Sequence, residues 1–208
     1  MELDHVLIAV ADLQAASRTL EERHGLASVE GGRHAGWGTA NRIVPLGDTY
    51  IELIAVVDER EAAGSAFGRW VASAIASGAG RPMGWVARTK RLAEVAERLG
   101  LTVSSGSRPG REGRVLRWRL AGVDEAAAEP ALPFFVEWGE RTPLPGRTEI
   151  EHPAGAARLE RLELSGDAGR VTERLGTEDM PISVIPGPPA GTGLVLAGDE
   201  GVWTINRL

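Results

Sequence analysis

Leu3-Asp4-His5-Val6-Leu7-Ile8-Ala9-Val10 is the stretch whose reading decides the fold. It is an apolar run of strand length, and Asp12 follows it as a helix cap in front of the amphipathic segment Leu13 to Glu22. Gly25-Leu26 leads into a second strand. A Gly-rich segment from Gly31 to Gly38, a strand from Asn41 to Leu46, a Gly47-Asp48 turn and a strand from Tyr50 to Val56 complete a β-α-β-β-β unit.

The same order is written again from Met83. A strand from Gly84 to Ala87 precedes a helix from Leu92 to Leu99, and Gly100-Leu101-Thr102-Val103 repeats the pattern of Gly25-Leu26-Ala27-Ser28, with Arg108 at the place of Arg33. A strand from Val115 to Leu120, an inserted acidic, Ala-rich loop from Val123 to Ala131 and a strand from Leu132 to Trp138 close the second copy. A third, shortened copy reads from Leu159 to Asn206. The organisation expected is a first module over 1–60, a connecting helix over 61–81, a second module over 82–140, a Pro-bearing linker over 141–157 and a shortened third module over 158–208. Within the connector, Phe67, Trp70, Val71, Ala74 and Ile75 fall on one helix face, a stripe that should pack on a sheet.

Composition narrows the chemistry. With 208 residues and 43% hydrophobic content the chain can bury a core, and no apolar run reaches the roughly 18 residues of a membrane helix, so a cytoplasmic protein is expected. The absence of cysteine leaves His, Asp and Glu as the only strong metal ligands. A net charge of −6 with scattered basic residues disfavours nucleic acid as a partner. The Gly-rich segment opens no helix and lacks a phosphate-loop lysine, so no nucleotide cofactor is expected.

Two acids interrupt apolar strands at matching places: Glu52 in Tyr50-Ile51-Glu52-Leu53-Ile54 and Glu137 in Phe134-Phe135-Val136-Glu137-Trp138. A buried carboxylate needs a cation, a proton or a partner. Strand alternation puts His5, Leu7 and Ala9 on one face, Tyr50, Glu52 and Ile54 on one face, and Phe135 with Glu137 on another. Pairing of the acids with Arg42, Arg117 or Arg119 is the structural alternative to a catalytic role. Arg33, His34, Trp37, Thr39 and Asn41, on a lid or bent strand at a cavity mouth, would contact a substrate through an anion site, a proton carrier, a stacking face and hydrogen bonds. Trp85, Trp118 and Trp138 would line the second unit's apolar pocket. His152 reads as a solvated linker residue.

A tandem β-α-β-β-β unit with a His on the first strand and a Glu on the last resembles the vicinal oxygen chelate superfamily, which includes glyoxalase I, extradiol dioxygenases and bleomycin-resistance proteins. The glyoxalase-like branch is the nearer match. The likeness rests on Leu3-Asp4-His5-Val6, on Gly31-Gly32-Arg33-His34-Ala35-Gly36-Trp37-Gly38-Thr39-Ala40-Asn41-Arg42, and on Tyr50-Ile51-Glu52-Leu53-Ile54. It implies an α+β fold in which half-barrels of a curved mixed sheet enclose a cavity. Carried over by position, His5, Glu52 and Glu137 would hold a divalent Zn, Mn, Fe, Ni or Mg ion. Aligning Ala87 with Ala9 puts Met83, which is no ligand, at the fourth position. The activity implied is isomerase or lyase chemistry on a small molecule, with Glu52 and Glu137 as the catalytic carboxylates. A ring-cleaving dioxygenase ranks behind it, because the second imidazole is missing. A non-catalytic drug-binding protein is the alternative from a different class, and homodimers are common in the superfamily.

Overall fold

Asp12 accepts hydrogen bonds from the Gln14 and Ala15 N–H groups, both at 2.8 Å, and starts helix α1 (Leu13–His24) directly after strand β1 (Glu2–Ala9). The helix ends at Gly25, whose φ of 61° is the left-handed cap that glycine adopts most cheaply. The computed structural model describes residues 1–109, 115–199 and 201–208. β2 (Val29–His34), β3 (Thr39–Leu46) and β4 (Thr49–Val56) complete the first unit. The connector holds two helices, α2 (Glu59–Gly64) and α3 (Ala66–Gly78). The second unit runs β5 (Pro82–Arg88), α4 (Leu92–Leu99), β6 (Val103–Pro109), β7 (Val115–Ala121), α5 (Val123–Ala128) and β8 (Phe134–Trp138). The Ala-rich insert thus begins as a short helix, which buries Ala126 completely.

These eight strands form one curved mixed sheet in the order β2-β3-β4-β1-β5-β8-β7-β6. In each unit the first strand pairs in parallel with the last, and β1 and β5 join the units antiparallel at the centre. The far edges nearly meet, where Arg108 on β6 donates to the Gly31 carbonyl on β2. The paired half-barrels of an α+β fold are therefore present. Helix α3 does not lie on the outer face of the sheet. Its Phe67, Trp70 and Val71 enter the concave side and pack with Leu7, Ile54, Val86, Phe134 and Val136.

The remaining chain forms β9 (Ala157–Ser165), α6 (Ala168–Leu175), β10 (Ile182–Ile185), β11 (Ala190–Gly198) and β12 (Gly201–Ile205). Its chain order repeats that of the first two units, but its strand order is β10-β9-β11-β12. The first strand of this unit pairs in parallel with the second strand instead of the last, so it builds a small separate sheet. Leu162, Leu164, Leu194 and Leu196 of that sheet join Trp85, Leu132 and Phe135 in one core on the convex side of the large sheet. No helix among the described residues is long and apolar enough to cross a membrane.

The segment before β9 is anchored to the first unit. His152 Nε2 donates to the Pro45 carbonyl at 2.7 Å, which leaves Nδ1 to accept the Ala27 N–H at 3.1 Å. This residue is a staple, not a solvated linker side chain. Replacing it by alanine strands a backbone donor and an acceptor, so His152→Ala should lower stability by about 1–3 kcal/mol. Urea denaturation measures this, and an unchanged midpoint would mean that water replaces both bonds without loss.

Candidate active site

Leu3 pairs with Ala87 across the β1–β5 ladder, and His5 pairs with the next residue, Val86. Asp4 is therefore the extra residue of a β-bulge, which breaks the alternation of faces and lets neighbouring side chains turn inward together. Asp4 and His5 are both buried, and Asp4 Oδ1 lies 2.6 Å from His5 Nδ1. Asp4 Oδ2 accepts from Trp138 Nε1 at 2.9 Å and from Arg88 at 3.3 Å. On its other side His5 Nε2 faces Glu52 Oε2 at 3.1 Å. Glu52 Oε1 accepts from Asn41 Nδ2 at 2.6 Å, and the His5 ring stacks on Tyr50 with centroids 4.3 Å apart.

An imidazole between two carboxylates carries a proton. Burial opposes the His5 charge, but hydrogen bonds and charge from Asp4 and Glu52 outweigh it and raise its pKa from 6.5 to about 9. Burial likewise opposes the Glu52 charge. The His5 bond and charge, the nearness of His34 and the Asn41 bond overcome that and hold the carboxyl at about 2. His34, also buried, is pushed the other way: burial lowers its pKa, Arg108 and His5 add to this, and Glu52 opposes it.

These groups face a cavity of about 40 Å³ inside the half-barrels, with His34, Asn41 and Arg108 on its polar side. The opposite walls are the rings of Trp37, Phe67, Trp118, Phe134 and Trp138. Room for one water takes about 10–15 Å³, so the cavity holds only a few. Asn41 Oδ1 is buried without a hydrogen-bond partner, and turning the amide over would set its oxygen against Glu52.

Of the residues expected to act together, His5 and Glu52 meet and Glu137 does not join them. Phe134, Val136 and Trp138 of β8 line the cavity, so Glu137 lies on the other face, where Arg119 Nε bonds it at 2.7 Å and Nη2 approaches the same oxygen. The cause is the register of the second unit, in which Glu137 does not stand at the place of Glu52. Val10 N bonds Ile54 O, Thr89 N bonds Val136 O, Leu7 pairs with Glu52 and Val86 with Phe134. Arg88 and not Ala87 therefore corresponds to Ala9, and Gly84 and Phe134 correspond to His5 and Glu52. Glu137 thus stands three residues past the match of Glu52, and because faces alternate an odd offset puts its side chain on the other face. Trp70 fills the vacated position: a Cβ on Gly84 would stand 2.5 Å from its ring.

Among the expected substrate contacts, His34, Trp37 and Asn41 reach the cavity. Thr39 bonds His34 from behind, and Arg33 pairs outside with Asp58 and Glu61. Trp118 and Trp138 line the cavity, whereas Trp85 points to the convex core and bonds the Ala131 carbonyl. Asp4 went unseen because strand alternation assigns it outward. Its place beside His5 was the one available signal. Tyr50, Phe67, Phe134 and Arg108 also belong to the cavity wall.

The donor set does not fit a chelated metal. Both ring nitrogens of His5 are engaged by carboxylates, the second unit offers Gly84 and Phe134, and among the described residues no three His, Asp or Glu side chains converge to hold an ion.

A family model described as a glyoxalase-like domain matches residues 3–178. The chain belongs to that family. Among solved structures, a hypothetical protein from Staphylococcus aureus is similar along its whole length: it is 13% identical with a TM-score of 0.69, over 100% of this chain and 99% of that one. The glyoxalase-like fold is thus shared together with the third unit. A methylmalonyl-CoA epimerase from Mycobacterium tuberculosis is 20% identical with a TM-score of 0.47, over 66% of this chain and 86% of that one. No curated protein matches.

The charge pair predicts how stability of this glyoxalase-like chain follows pH. The His5 contribution is complete below pH 6.5 and is lost as pH rises through about 9; the Glu52 contribution is complete above pH 4.5 and is lost as pH falls through about 2. Unfolding free energies from urea titrations should fall by on the order of 2–3 kcal/mol between pH 6.5 and 9.5. The same series on His5→Gln should lose most of that alkaline slope. An identical slope in the variant would assign the loss to other groups.

Proposed function

We propose that the chain is a small-molecule enzyme of the isomerase or lyase type that moves a proton at a carbon next to a carbonyl. The observation that carries this is the charged Asp4–His5–Glu52 array set against a cavity with aromatic walls. Hydrophobic residues of similar volume stabilise a core as well as a buried ion pair does, so fold stability alone gives no reason for the array, and groups with displaced pKa values concentrate at reactive sites.

The substrate class follows from the walls. Aromatic faces suit a compact, partly apolar molecule. Breaking the C–H bond turns its electron pair into the enolate C=C bond, moves the carbonyl π pair onto oxygen and passes the proton to the His/Glu cluster. The cations of the wall, His5 and Arg108, favour the resulting enolate. Return of the proton to the same carbon epimerises, return to the next carbon isomerises, and loss of a β-substituent completes a lyase reaction. No step in this scheme runs through a metal. The small volume of the cavity favours a second reading, a binding protein that widens to hold an apolar ligand without turnover.

Incubating the protein in D2O with small α-hydroxy ketones, α-keto acids and hemithioacetals of 1,2-dicarbonyls, followed by proton NMR, tests the reading. One class should lose its α-proton signal, and Glu52→Gln or His5→Gln should slow this by about 10²–10⁴-fold. Tight binding by calorimetry with no exchange in any class would establish the binding protein instead.

A further inference from the structure

We propose that His34 is the group that takes and returns the substrate proton, through its Nε2. The inference rests on the acid–base reading above and assigns its working atom. Within the cavity wall the candidates are His5, Glu52 and His34, since burial raises the Tyr50 hydroxyl well above its usual range and keeps it protonated. Both nitrogens of His5 are engaged, by Asp4 at 2.6 Å and by Glu52 at 3.1 Å. Glu52 has one oxygen on His5 and the other on Asn41, and a carboxyl held at about 2 is a weak base.

His34 is held differently. Its Nδ1 lies 3.0 Å from Oγ1 of the fully buried Thr39, and its ring is wedged among Trp37, Phe67 and Trp118 at centroid distances of 5.6, 6.5 and 6.2 Å. That anchoring turns Nε2 toward Glu52 Oε1, but the separation of 3.9 Å is too long for a hydrogen bond. In the working tautomer Nδ1–H donates to Thr39 and Nε2 presents its lone pair. Burial, then the charges of Arg108 on β6 and His5 on β1, keep the ring neutral against the pull of Glu52 on β4; the faces that α3 and β7 turn to it are the rings of Phe67 and Trp118.

The step balances simply. The lone pair of Nε2 takes the α-proton, the C–H pair becomes the enolate π bond, and the carbonyl π pair moves to oxygen. The imidazolium so formed stands beside the Glu52 carboxylate, which attracts it only once it is charged. That attraction exists in the transition state and not before, as acceleration requires. Glu52 is then a positioning and charge-compensating residue, and His5 fixes Glu52.

The test uses the full chain and whichever substrate class exchanges in D2O. His34→Gln should cut kcat by about 10²–10⁴-fold with KM little changed. Imidazole should restore part of the activity of His34→Ala. The acid limb of kcat/KM should coincide with the NMR titration midpoint of the His34 ring, below 6.5. Exchange by His34→Gln at the wild-type rate, with Glu52→Gln inactive, would move the proton to Glu52 and leave the acid–base reading intact. A His34 ring that is protonated above pH 7 would overturn the assignment whatever the activity of the variants. No exchange by the wild type with any class would remove the acid–base reading, and this assignment with it.

Discussion

Everything at the centre of this molecule depends on one imidazole suspended between two buried carboxylates. Isolated, each of these charges would lose several kcal/mol on leaving water. Together, Asp4, His5 and Glu52 leave one net negative charge, which the neighbouring guanidinium of Arg88 and the indole N–H of Trp138 share through Asp4. The arrangement needs two successive residues of one strand to face the same way, and regular alternation forbids that. The bulge at Asp4 supplies the exception, and it sits where β1 meets β5, at the junction of the two units. A backbone irregularity of one residue thus sets the protonation state of the site.

The two units share a backbone plan and divide the labour of the cavity. The first brings most of the polar groups, from His5 on β1, His34 at the end of β2, Asn41 on β3 and Glu52 on β4, and the second adds Arg108 on β6. The second holds Gly84 and Phe134 at the two places where the first holds His5 and Glu52, and the missing side chain at Gly84 admits Trp70 from α3. A histidine at Gly84 would collide with that indole, so a symmetric set of ligands and the present position of α3 exclude each other. The connecting helix has become a structural component of the cavity.

Residue pattern disclosed the repeat, the connector stripe, and the inward faces of His5 and Glu52, because each depends on local periodicity that a core imposes. Glu137 shows where that logic stops. An acid on an apolar strand looks the same on either face, and the face is set by register against β5, where Glu137 falls three places past the match of Glu52 and an odd offset reverses the face. Asp4 was hidden because a bulge is defined by the partner strand. His152 was hidden because both of its partners, Ala27 and Pro45, are more than a hundred positions away. The third unit shows the same limit at a larger scale. Its order of elements follows the repeat, and its strand order, with β9 between β10 and β11, rests on pairing energies that no local pattern displays.

The rings packed around the polar cluster, from both units and the connecting helix, also change what that cluster can do. Attraction between charges grows as the surroundings become less polarisable, and Trp37, Phe67, Trp118 and Phe134 replace water around His5, His34 and Glu52. In such a setting the same burial acts in opposite directions on two histidines. His5, bracketed by carboxylates, gains its proton, and His34, facing one carboxylate beyond hydrogen-bond range, loses it. Two imidazoles of opposite protonation tendency thus flank one glutamate, in a cavity whose second unit offers Gly84 and Phe134 where symmetric ligands would be needed.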